Sequence, residues 1–86
     1  MVSQEKLNRL FWHSRRGMLE LDLILVPFVR NHYANLDEKN QELYDRFIEE
    51  EDQDLFSWLI QRTIPEDAEF SRLITIILDV VDPSKS

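Results

Sequence analysis

Four charged side chains crowd around the only glycine of this 86-residue chain: Arg15 and Arg16 precede Gly17, and Glu20 and Asp22 follow it. Guanidinium forks grip carboxylates and carbonyls with two donors at once. A glycine lets the chain adopt positive φ or lets another backbone come close. The two carboxylates could accept from a partner's donors. They are poorly placed for paired acid/base chemistry, because residues two apart on a helix point about 200° away from each other. The stretch is therefore either a helix-to-helix corner with matched end charges or a contact surface for another molecule.

Other chemistries find little support. There is no cysteine, so a disulfide framework, a thiolate metal site and a Cys nucleophile are all excluded. A glycine-rich phosphate loop and a G-x-S-x-G elbow are absent, and His13 and His32 are not spaced as a metal-binding pair. Asp52-Gln53-Asp54 starts like a calcium loop but lacks the turn glycine and the terminal glutamate, so it reads as an acidic helix cap. Trp12, Trp58 and Tyr44 are expected at the edge of the core, with room for one aromatic to anchor an interface.

Charge narrows the partners further. The net charge of −7 splits into +2 over residues 1–33 and −9 over the remainder. A chain this acidic, with no stripe of Lys and Arg, is not built for nucleic acid or for an anionic membrane surface. Ser14-Arg15-Arg16 has the look of a twin-arginine export signal, but Glu20, Asp22 and Pro27 interrupt the apolar region behind it. No segment approaches the ~20 apolar residues of a membrane span.

The elements that must position these residues are helices. Apolar side chains recur at helical spacing along the whole chain, and no useful run alternates with period two. The spacing predicts a single all-α, five-helix domain over residues 1–86, with helices near 4–14, 18–32, 38–50, 53–62 and 66–81. Ser3 and Asp37 are the expected N-caps of the first and third. Pro27 should kink or loosen the second. The carboxylates of Glu49–Asp52 oppose a helix C-terminus and suit a helix start, so a boundary belongs there. Pro65, Glu66, Asp67 and Glu69 mark the start of the fifth.

On that scheme a purely conformational reading explains the corner: Arg15 and Arg16 favour the end of helix 1, Gly17 is its left-handed C′ residue, and Glu20 favours the start of helix 2. Against it stand Met18 and Leu19, apolar beside an exposed corner, and the reach of the arginine forks. The residues alone leave both readings open.

Arg16-Gly17-Met18-Leu19-Glu20 resembles the R-G-x-x-E motif of the succinate dehydrogenase assembly factors, also called flavinylation factors. The resemblance extends through Arg15, Leu21-Asp22, Pro27-Phe28, Asp54-Leu55-Phe56-Ser57-Trp58-Leu59, and Pro65 with Asp67-Ala68-Glu69, in family order and spacing. It implies a five-helix fold and a non-enzymatic chaperone. Such a protein binds the flavoprotein subunit of succinate dehydrogenase, and of the related fumarate reductase, and promotes covalent attachment of FAD. The FAD is then the partner's cofactor, with none held stably by this chain. Arg16, Gly17 and Glu20 become the centre of the partner-binding surface, with Arg9, Trp12, Arg15, Met18 and Asp22 around it. A chain that starts at its first helix is similar to the bacterial, cytoplasmic form, expected as a monomer. The competing assignment within the family is an antitoxin acting against a cytoskeleton-directed toxin.

Overall fold

A computed structural model describes residues 3–81. Five α-helices follow one another: α1 Gln4–Ser14, α2 Leu19–Asn31, α3 Glu38–Phe47, α4 Asp52–Leu59 and α5 Ala68–Val81, with a single 3-10 turn at Tyr33–Asn35 after α2. No strand occurs among the described residues. Ser3 caps α1 by accepting from the Lys6 N–H, and Asp37 caps α3 by accepting from the Asn40 N–H. Each side chain satisfies a backbone donor that the helix itself cannot.

α2 is the central element, packed against α1, α4 and α5, while α3 packs on α5. Its Leu21, Leu25, Phe28 and Val29 recur at i, i+4, i+7 and i+8 and are all buried. The helix runs through Pro27 to Asn31. Around this stripe a chain of rings fills the core. Tyr44 lies 5.4 Å from Phe28 and 6.4 Å from Phe47, and Phe47 meets Phe70 edge-to-face at 5.4 Å. Tyr44 was expected at the core edge; its side chain is fully buried, because Ser14 provides the partner its hydroxyl needs.

Three helix boundaries differ from the spacing-based expectation by two residues or more, and the ends of α2 and the start of α4 by one. α3 stops at Phe47 rather than near residue 50, and the Glu49 and Glu50 N–H groups bond back to the Arg46 and Phe47 carbonyls. Ending there removes those carboxylates from the helix C-terminus they would oppose. α4 ends at Leu59 rather than 62, because the backbone turns left-handed at Arg62, φ 61°. That turn lets the Thr63 N–H reach the Ser57 carbonyl at 2.9 Å and satisfies the open helix end. α5 starts at Ala68 rather than 66: Asp67 accepts from the Glu69 N–H at 2.8 Å, and Pro65 stays outside, buried.

Candidate functional site

The corner between α1 and α2 is built from Arg15, Arg16, Gly17 and Met18. α1 ends one residue earlier than the conformational reading requires, with Ser14 as its last residue and Arg15 as the extended C-cap. Gly17 is therefore not the C′ residue, and Arg16 lies beyond the helix rather than in its last turn. Gly17 does take positive φ, +78°, and a Cβ added there would meet nothing within 4 Å among the described residues. Backbone conformation, not crowding inside the molecule, is what calls for glycine at this position.

Arg16 is held at both ends. Its backbone N–H donates to the Asp22 Oδ1 at 2.8 Å, tying the corner to the first turn of α2. Its guanidinium turns inward: the side chain is only 14% exposed, and Nη1 lies 3.6 Å from the Asp52 Oδ1 at the start of α4. Nε and Nη2 are buried and make no hydrogen bond among the described residues. The buried Ser14 and Tyr44 hydroxyls share a 2.7 Å hydrogen bond. Burial pushes the Tyr44 phenol far above its usual range, against the smaller opposing effects of the Ser14 hydrogen bond and the Arg16 charge. Through this bond Tyr44 of α3 is joined to Ser14, the last residue of α1.

Glu20 and Asp22 part company as their helical spacing requires. Asp22 folds back on the corner, while Glu20 is exposed. Glu20 stands between Leu19 and Leu23, which are 68% and 63% exposed. It also lines an open groove of about 510 Å³ with Leu23, Ile24, Leu59, Ile60 and Val81. Met18, the α2 N-cap, packs partly buried against the core. Trp12 is 66% exposed, well outside the core edge where it was expected, with the Arg15 guanidinium 5.5 Å from its ring centre. Arg9 lines a separate groove with His13, Asp45 and Glu49. The fold thus gathers Arg15, Arg16, Gly17, Met18 and Asp22 at one corner, sets Glu20 on the exposed side of the same first turn of α2, and leaves Arg9 apart.

Two further residues, Asp52 and Leu23, belong to the corner and its outer edge. Asp52 has the sequence signature of an acidic helix cap, and no local signal pairs it with Arg16. Leu23 falls off the Leu21–Leu25–Phe28 stripe, and a helical register would have marked it as an exposed apolar residue.

The corner is tied to α2 and α4 by Asp22 and Asp52 and carries apolar side chains on its outer side, and comparison with known proteins gives it a context. The family model described as flavinator of succinate dehydrogenase matches residues 8–81. The chain belongs to that family. The FAD assembly factor SdhE of Pseudomonas putida is 58% identical over 83 residues, spanning 96% of this chain and 99% of that protein. The Pseudomonas aeruginosa protein of the same name is 52% identical over the same shares. That of Pectobacterium atrosepticum is 37% identical over 81% of this chain and 80% of its own length. Among the described residues, no helix is long and apolar enough to cross a membrane. No cluster of three or more His, Cys, Asp or Glu side chains there could hold a metal ion.

Proposed function

We propose that this chain is a cytoplasmic, monomeric assembly factor that binds the flavoprotein subunit of succinate dehydrogenase, and of fumarate reductase, and promotes covalent attachment of its FAD. The carrying observation is the α1–α2 corner, tied down by Asp22 and Asp52 while Gly17, Leu19, Glu20 and Leu23 face outward. Membership of the flavinator family supports the choice of partner, and the assembly-factor name shared by the relatives favours it over the antitoxin assignment.

The chemistry of flavinylation belongs to the flavoprotein and its FAD, which supply the reactive ring and the attacking side chain. A one-glycine chain cannot hold a dinucleotide fingerprint. What it can contribute is binding energy. If the corner fits the flavinylation-competent arrangement of the flavoprotein better than other arrangements, binding raises the population of that arrangement. The central contacts are the Glu20 carboxylate on partner donors, Gly17 at close backbone approach, and Leu19 and Leu23 in partner pockets. Trp12 and Arg15 flank them. The test is covalent flavin, read as in-gel fluorescence of the denatured flavoprotein in a strain lacking the gene. The fluorescence falls on deletion and returns with the wild-type gene. Undiminished fluorescence in the deletion strain rejects the reading.

A further inference from the structure

Arg16 sits where an arginine fork is expected to grip a partner, yet most of its guanidinium faces the wrong way. Nε and Nη2 are out of reach of solvent, and therefore of anything that docks on the surface. The remaining nitrogen, Nη1, points at Asp52. Asp52 is well suited to hold it: as the first residue of α4 its carboxylate is favoured by the helix N-terminus, and at 45% exposure it is only partly desolvated. The contact joins two segments that nothing local connects, the α1–α2 corner and the start of α4. With the Asp22 bond to the Arg16 N–H, it fixes the residue immediately before the flexible Gly17. A glycine at positive φ has many alternatives in a loose loop. Anchoring its neighbour at backbone and side chain removes most of them.

We propose that Asp52 is a positioning residue for flavoprotein binding: it holds the inward-turned Arg16, and this clamp presents Gly17, Leu19 and Glu20 to the partner, which Arg16 itself does not touch. The inference rests on the reading that the corner binds the flavoprotein. It assigns the motif arginine an indirect role and adds a residue far along the chain to the site. The clamp stores no specificity of its own. It narrows the conformations of the free corner, so that less freedom is lost on docking.

The experiment measures the affinity of the full chain for the purified flavoprotein subunit, far below every variant's melting midpoint, together with that midpoint. The variants are Asp52→Asn, Asp52→Glu, Arg16→Ala, the Arg16→Ala/Asp52→Asn double variant, and Glu20→Ala as a control. Asp52→Asn keeps the shape and loses the charge, and is expected to weaken binding about tenfold, a coupling of ordinary size for residues in one network. Asp52→Glu restores affinity to within about threefold, because the pair can reform. Arg16→Ala alone weakens binding at least as much as Asp52→Asn. On the Asp52→Asn background it adds less than about threefold, since the clamp is already open. A merely structural role lowers the midpoint but leaves the affinity of the folded protein unchanged, and that result overturns the proposal. So does an Arg16→Ala loss that persists in full on the Asp52→Asn background, the signature of direct contact. If Glu20→Ala also binds like wild type, the corner is not the interface, and the reading beneath the proposal fails instead.

Discussion

Replacing Gly17 separates conformation from contact, because the structure predicts opposite rankings for two substitutions. Gly17 has φ +78° and open space where a Cβ would go, so an added side chain meets no steric cost within the molecule. Only the backbone penalty remains. Alanine in the left-handed region costs about 1–2 kcal/mol. It recovers about 0.4–1 kcal/mol by restricting the unfolded chain. Gly17→Ala should therefore destabilise by about 1 kcal/mol, and for a domain of this size each 1 kcal/mol lowers the melting midpoint by about 4–8 °C. Asparagine tolerates the left-handed region better, so Gly17→Asn should lower the midpoint less. Binding should rank the other way. On the proposed docking a partner backbone comes close over Gly17, and the longer asparagine side chain fills more of that open space than a methyl group. Gly17→Ala is expected to weaken flavoprotein affinity by about tenfold and Gly17→Asn by more. Calorimetric titration and thermal unfolding on the same two proteins decide the matter. If affinity follows stability, with alanine worse in both, Gly17 acts only through its conformation and close approach is refuted.

Two further outcomes follow from the same geometry. Leu19→Ser and Leu23→Ser, at exposed positions, should each change stability by less than about 0.5 kcal/mol. Together they should weaken flavoprotein binding by about tenfold; wild-type affinity in the double variant removes this apolar edge from the interface. The protein's tyrosines, Tyr33 and Tyr44, are both pushed far above the usual phenol range, chiefly by burial, and for Tyr33 also by the hydrogen bond its hydroxyl donates to Asp45. Because the folded values exceed the unfolded ones, the stability they contribute is fully present below about pH 10 and declines as pH rises beyond it. In an alkaline titration, phenolate absorbance should therefore appear together with loss of helical circular dichroism. Phenolate forming near pH 10 in a still-folded protein contradicts the buried placement of both rings.

The helices were legible because their causes are local. Leu21, Leu25 and Phe28 announce a stripe by spacing alone, and Ser3 and Asp37 cap through side chains three residues from the N–H groups they serve. The positive φ of Gly17 was legible for the same reason: a sole glycine between two helical patterns has few other uses. What the helices do to one another was not. Arg62, a left-handed residue that is not glycine, ends α4 earlier than any apolar period indicates. Tyr44 is buried only because packing brings Ser14 of α1 within 2.7 Å of its hydroxyl. Trp12, an ordinary core candidate by type, is left in solvent because the α1 stripe that meets α2 passes through Leu7, Leu10 and Phe11 instead. The motif itself divides along this line. Its residue types and spacing, and with them the family resemblance, belong to the sequence. That Glu20 faces outward while Arg16 turns in toward Asp52 was decided by tertiary structure, since a charge can be drawn inward only where packing places its counter-charge.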